Sequence, residues 1–335
     1  MRRGLWGAGA LALLLAGSAG PLAGQQSHLL VIGGLGGEPE YSEAFHAWGT
    51  ALVDAARTRY GLPASNIVYL AERPERDPSR IRARSTRENV EQAFRDLAAR
   101  AAPGDQVLVV LIGHGSFEAG EARFNLPGRD LTAADFARLV GLLSAQKVAF
   151  VNTASASGPF VEALSGRNRV VVAATKTGAE RNATRFGRYL VEALASEGAD
   201  TDKDGRVSLL EAFEYARREV ARSYEAENRL LTEHAVLDDD GDGVGSAEPG
   251  RAGSDGSLAR TFFLRGGAGE VVLEATDPEL RTLLERRRSL EARIEALKAE
   301  RATMDAERYE AELEKLLLEL ARTNQAIRRQ EASKP

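Results

Sequence analysis

Residues 106–112, QVLVVLI, set six aliphatic side chains in unbroken succession after a single glutamine. Alternate side chains of a strand point to opposite faces, so this run has no polar face to turn toward water. It is far shorter than the roughly 20 apolar residues a membrane-spanning helix needs. It therefore predicts a strand inside a sheet that is covered on both sides. HLLVIGG (28–34), NIVYLAE (66–72), KVAFVNT (147–153) and RVVVAAT (169–175) have the same character. Between them lie segments with apolar residues at helical spacing. SEAFHAWGTALVDAARTRYG (42–61) ends on Gly61, STRENVEQAFRDLAARA (85–101) offers Ser85 or Thr86 as a cap with Glu88 nearby, and LTAADFARLVGLL (131–143) is capped by Thr132. This alternation predicts a mostly parallel sheet with helices on both faces, a three-layer α/β sandwich. In such sheets ligands collect beyond the carboxyl ends of the strands. His114 stands at one such end and Ser155 at another.

The first 24 residues do not belong to that scheme. MRRGLWGAGALALLLAGSAGPLAG has two arginines, an apolar core and small residues before Gln25, the pattern of a secretory signal peptide. It predicts a periplasmic or secreted protein. Loss of Arg2 and Arg3, with no acidic residue in the segment, takes the formal charge from −5 to −7. No later run is long enough to span a bilayer. The sequence contains no cysteine, which excludes disulfides, thiolate metal sites and a cysteine nucleophile. An acidic balance without a basic, aromatic-interleaved patch argues against nucleic acid as a partner.

The order of elements carries a resemblance. A strand ending in His114-Gly115, then a helix, then a strand running into Thr153-Ala154-Ser155-Ala156-Ser157-Gly158 resembles the caspase–legumain superfamily of cysteine peptidases. There the second strand ends in Ala-Cys-x-Ser-Gly. FNLPGRDLTAADF (124–136) resembles the segment joining the two catalytic strands of bacterial members. VVVAATKTGAERNATRFGRYLVEALA (170–195) resembles the next strand, a loop near the specificity pocket and the following helix. The likeness extends over roughly residues 28–225. It implies a caspase-like fold in which His114 is the base and the amides of Gly115 and Ser155 stabilise an oxyanion. Position 155, however, is serine where the family has its nucleophilic cysteine, and Ser157 aligns with the family's ordinary serine.

That exchange divides the functional expectation. A thiol titrates near ~8.5 and is readily activated by an imidazole. A serine hydroxyl usually needs a base that is itself oriented by a carboxylate, for which Glu118, Glu121 and Asp130 are the candidates. One reading is a catalytically silent caspase-like domain, a pseudoenzyme whose cleft still binds a peptide or protein partner. Another is a hydrolase using Ser155 with His114 as base. In the third, the two residues merely satisfy strand ends.

DTDKDGRVSLLE (200–211) has the spacing of a helix–loop–helix calcium site. Asp200, Asp202 and Asp204 occupy positions one, three and five, and Gly205 makes the turn at six. Arg206 offers its carbonyl at seven, Ser208 stands at nine, and Glu211 is the bidentate twelfth ligand. RFGRYLVEALAS (185–196) and LLEAFEYARREVARSY (209–224) flank it as helices. The resemblance admits a plainer outcome, because related bacterial proteins carry an acidic turn at this place. A second stretch, DDDGDGVGSAE (238–248), repeats the early spacing with Asp238, Asp240, Asp242 and Gly243 but has Pro249 at position twelve. It is either an incomplete second calcium loop or a flexible acidic loop. His28, His46 and His234 read as packing or surface residues.

These features divide the chain into a signal peptide (1–24), a caspase-like α/β domain (25–235), an acidic Gly/Asp-rich stretch with short strands (236–276) and a helical tail (277–335). In the tail, Leu283, Leu290, Leu297 and Met304 recur every seven residues, as do Leu313, Leu320 and Ile327. The phase breaks between Met304 and Tyr309. This coiled-coil pattern is either an antiparallel hairpin turning near 302–306 or one long helix with a stutter. Its apolar stripe predicts homo-oligomerisation or docking on another exported protein.

Overall fold

The computed structural model describes residues 25–265 apart from 197, 204 and 251–254, and beyond them 279, 282–283, 286–287, 289–290, 293–294, 297 and 304–332. The signal-peptide segment and Asp204 lie outside the described residues. The strands are β1 (Ser27–Gly33), β2 (Ile67–Ala71), β3 (Ala83–Arg84), β4 (Gln106–Ile112), β5 (Gly115–Glu118), β6 (Glu121–Phe124), β7 (Leu131–Thr132), β8 (Lys147–Asn152), β9 (Arg169–Ala173) and β10 (Val236–Asp238). The helices used below are α1 (Pro39–Thr58), α2 (Arg87–Arg100), α3 (Ala133–Val140), α4 (Pro159–Leu164), α5 (Phe186–Ala195), α6 (Leu209–Ala226), α7 (Ser257–Arg260) and α8 (Ala306–Ala332).

Seven strands form one sheet in the order β10-β9-β8-β4-β1-β2-β3, parallel throughout except for β10 against β9. Register aligns the valines across it: Val31 pairs with Val110, Val110 with Val151, and Val151 with Val172. The period of two then sorts each strand. Leu29, Val31, Leu108, Val110, Val151 and Val172 pack in one core with α1, α5 and α6. Leu30, Ile32, Val109, Leu111, Phe150 and Val171 pack in a second core with α2, α3 and α4. All seven residues of β4 are buried, as a strand in the middle layer must be. This is the expected three-layer α/β sandwich with a mostly parallel sheet.

The helix starts follow local chemistry. Thr86 accepts from the Asn89 amide to begin α2, and Thr132 with Asp135 forms a capping box on α3. Residues past 235 also belong to this body. β10 closes the sheet edge, and Ala259, Phe262 and Leu264 enter the first core. Directly after His114 the chain makes a small antiparallel sheet, β5-β6-β7, which the sequence pattern did not signal.

In the tail, contacts among the described residues join its two ends. Leu290, Ile294 and Leu297 are buried together with Leu316, and Met304, Tyr309, Leu313 and Leu320 pack against them. Arg286 Nη2 lies 3.8 Å from Glu319 Oε2, and Gln330 donates to Glu279 across 3.4 Å. Such pairs, early with late, require an antiparallel hairpin and exclude one straight helix. α8 is its second arm. Among the described residues no helix is long and apolar enough to cross a membrane.

Candidate functional site

Parallel sheets open a crevice where consecutive connections leave in opposite directions. Here the chain passes from β1 to β2 on one side, while β4 lies on the other. The crevice therefore lies beyond Gly33 and Ile112, and His114 sits there. β8 adjoins β4, so Ser155, three residues beyond Asn152, arrives beside it.

His114 is half-buried. Its ring meets the edges of two aromatic rings from α1, with centroids 4.6 Å from Tyr41 and 5.0 Å from Phe45. Burial lowers its pKa, opposed by a hydrogen bond to the backbone of Gly36 and by the charge of Glu38. The Gly36 loop is itself held, because the Gly36 amide and the Ser42 hydroxyl both donate to Glu72 Oε2, at 3.2 and 3.1 Å. A β-carbon on Gly36 would stand 2.3 Å from Ser42 Oγ, so this approach requires glycine.

None of the three carboxylates considered from sequence is hydrogen-bonded to His114. Glu121 Oε2 pairs with Arg123 at 2.7 Å. Asp130 Oδ1 accepts from the Leu126 amide at 2.9 Å. Glu118 lies exposed on β5, opposite Glu121. Sequence reasoning missed Gly36, Tyr41 and Phe45. The two aromatics look like the apolar face of a helix, and a backbone group carries no residue signal.

Ser155 is only 3% exposed. Its hydroxyl donates to the Gly115 carbonyl at 3.0 Å and accepts from the Gly115 amide at 3.3 Å. The two strand-end turns are thus stitched together through one oxygen. Contact is so close that a β-carbon at Gly115 would fall 2.3 Å from the Ser155 carbonyl. Ala156 follows with φ +54, a left-handed conformation uncommon for alanine. Ser157 faces inward, its Oγ 3.1 Å from Thr175 Oγ1.

The same loop leads to a cleft. The Ala156 amide donates to the Glu180 carbonyl at 2.8 Å, and Glu180 Oε2 accepts from the His234 amide at 2.8 Å. His234 lines a cleft of about 660 Å³ with Phe186, Val220, Arg217, Arg260 and Pro249 among its walls. Neither His114 nor Ser155 lines it. His28, in contrast, is a packing residue, buried with Nε2 3.1 Å from Asp105 Oδ2.

The loop 200–211 gathers oxygen ligands. One carboxylate oxygen from each of Asp200, Asp202 and Glu211 lies within 4.8 Å of the others. Asp200 is 9% exposed, and its Oδ1 is buried without a hydrogen-bond partner. Its Oδ2 accepts from the Gly205 amide at 3.0 Å. Lys203 and Gly205 have φ of +61 and +84, which curl the loop. Glu211 closes it: Oε1 accepts from the amide and hydroxyl of Thr201, and Oε2 from the amide and hydroxyl of Ser208. Burial alone would raise the Glu211 pKa, but those bonds outweigh it and hold the carboxyl below its ordinary value. Ser208 with Glu211 is also the capping box of α6. An orphaned, buried Asp200 oxygen beside two further carboxylates suits a hard cation. Arg206 and Ser208 stand at loop positions where sequence placed them, Ser208 as the helix cap.

Asp238, Asp240 and Asp242 also bring one oxygen each within 4.8 Å. Asp255, 17 residues beyond Asp238, joins this loop, its Oδ1 accepting from the Asp239 amide at 2.9 Å. No spacing rule pointed to it.

No family model matches the sequence, and no curated protein matches it. Among solved structures the chain is similar to the crystal structure of caspase-1 from Spodoptera frugiperda, with 10% identity, 65% of this chain and 90% of that chain covered, and a TM-score of 0.42. At that identity the likeness concerns backbone architecture alone.

Proposed function

We propose that this is an exported, caspase-like pseudoenzyme that recognises a peptide or protein segment without cleaving it and binds Ca²⁺ in the loop 200–211. The observation that carries the first part is the position of the Ser155 hydroxyl. It covers the Gly115 amide, the donor an oxyanion would need, and directs its proton to a carbonyl instead of to His114. A separate cleft of about 660 Å³, lined by Phe186 and Val220 together with Arg217 and Arg260, offers a surface for an extended segment. Serine-type hydrolysis remains the second reading. It is favoured by the burial of His114, which holds its pKa below the ordinary value and so favours the neutral ring a base needs.

The test compares wild type, Ser155→Ala and Ser155→Cys on a peptide library with Asn, Asp, Arg or Lys at the cleaved position. The expected result is no turnover by wild type and turnover by the cysteine variant alone. Wild-type turnover that vanishes in the alanine variant overturns the silent-cleft reading. For the metal, Asp200, Asp202, the Arg206 carbonyl, Ser208 and Glu211 would hold Ca²⁺, with Asp204 assigned from sequence. Calcium would tie α5 to α6 and stabilise the folded state by mass action. Equal thermal midpoints in calcium and in chelator would refute this part. The apolar stripe of the tail is spent on its own hairpin to the extent of Leu290, Ile294, Leu297 and Leu316. Self-association would therefore use the outward Leu317 and Leu318.

A further inference from the structure

We infer a second Ca²⁺ site in the loop following β10, formed by Asp238, Asp240 and Asp242. Asp238 is 1% exposed, and its Oδ2 has no hydrogen-bond partner. Its Oδ1 accepts from the Gly241 amide at 3.1 Å. Among the described residues no basic side chain forms an ion pair with any of the three aspartates. A carboxylate buried this completely, with one oxygen unmatched, is costly unless a cation or donor meets it. Two further carboxylate oxygens stand within 4.8 Å, on residues that are exposed and so reachable by an ion from solvent.

The surroundings add to the charge instead of cancelling it. Asp255 is buried behind the loop, accepting from the amides of Asp239 and Asp240. A divalent ion among the three aspartates would meet the unpartnered Asp238 oxygen.

This is not a copy of the loop at 200–211. Pro249 cannot serve as the twelfth ligand. Instead the ring closes three residues earlier, where Leu237 and Ser246 exchange two backbone bonds of 2.9 and 2.8 Å. Gly241 and Gly243, at φ +87 and +79, turn the chain between the aspartates. An all-oxygen donor set with open sides suits calcium, which accepts six to eight oxygens in irregular geometry, better than octahedral magnesium. Residues 247–250, directly after the ring, form a wall of the 660 Å³ cleft, so the ion would brace that wall.

The site does not depend on occupancy of the first loop, and the test separates them. CaCl₂ is titrated calorimetrically into the full chain as wild type, Glu211→Gln, Asp242→Asn and Asp238→Asn. Wild type should bind two ions, and Glu211→Gln should keep one. Asp242→Asn retains an acceptor for the Val244 amide, which Asp242 Oδ1 holds at 2.7 Å, so it should fold as wild type does. It should weaken one ion by ~10-fold or more, because loop affinity follows ligand charge. Asp238→Asn should abolish that ion, and if that variant does not fold, Asp242→Asn decides. A single ion, lost in Glu211→Gln and unaffected by Asp242→Asn, overturns the inference. A single ion lost in Asp242→Asn but kept in Glu211→Gln upholds it and refutes the first loop instead.

Discussion

Removing the Ser155 hydroxyl tests whether that oxygen is structural or poised for attack. In Ser155→Ala the Gly115 amide and carbonyl each lose a partner, at 3.3 and 3.0 Å. A net intramolecular hydrogen bond contributes roughly 0.5–1.5 kcal/mol. Two such bonds set an upper figure near 3 kcal/mol. Gly115 is only half-buried, so water can reach part of what the hydroxyl leaves, and the expected loss falls to about 1–2 kcal/mol. For a domain of this size that is a drop of roughly 3–6 °C in Tm. Paired urea and thermal unfolding, followed by circular dichroism in chelator, would measure it. The opposite outcome has a clear meaning. Poised catalytic groups are held at a cost to stability, and their removal is commonly neutral or stabilising. An alanine variant at least as stable as wild type would refute the stitching role and with it the main support for a silent cleft.

Three other outcomes are expected. Because burial lowers the His114 pKa below 6.5, the unfolded chain takes up its proton first as pH falls. The stability this residue contributes is therefore complete above about pH 6.5 and lost below it, by no more than ~1.4 kcal/mol per pH unit. His114→Phe should keep the ring contacts yet flatten that limb between pH 7.5 and 5.5 in urea midpoints, and an unchanged slope would refute the assignment. Gly36→Ala, whose β-carbon would meet Ser42 Oγ and stand 2.7 Å from Ser42 N, should displace the Gly36 backbone and remove its upward pull on the His114 pKa. An NMR titration of the imidazole should then show a pKa lower than in wild type, and an unchanged titration would exclude Gly36 as a partner of the ring. Leu316→Asp places a charge in the hairpin seam beside Leu290, Ile294 and Leu297 and should cost at least ~3 kcal/mol locally. Ellipticity at 222 nm should fall accordingly, and undiminished helicity would contradict the hairpin packing.

What the sequence discloses here follows from which groups carry a residue signature. β4 and β8 were legible because a strand covered on both faces must be built from Val, Leu, Ile and Phe, and their neighbours in the sheet share that demand. β3 and β5 to β7 were not, since two to four residues on an edge or flap can be almost anything. β10 is just as short and lies at the sheet edge, where antiparallel pairing is decided by the chain's return path. In the candidate site, His114 and Ser155 were legible because both stand beyond carboxyl ends of strands, the ligand edge of such a sheet, and because the order of motifs around them resembles a known family.

The partners of those residues were hidden for a different reason. One group acting on His114 is the backbone of Gly36, and its place depends on Glu72, just after β2, holding the Gly36 loop. That arrangement exists only once β1, β2 and β4 lie side by side. Ser155 shows the sharper limit. Its identity says that a hydroxyl stands where the resembling family has a thiol, yet which way the proton points is a property of the turn. A hydroxyl is small and forms short, directional bonds, so it can close onto both groups of Gly115 at once. Sulfur is larger and bonds weakly to amides, and the same turn would hold it less firmly and leave it closer to use by His114. The serine at 155 thus does more than lower nucleophilicity. It locks two strand ends together, and a cysteine put back there would have to give up that lock before it could react.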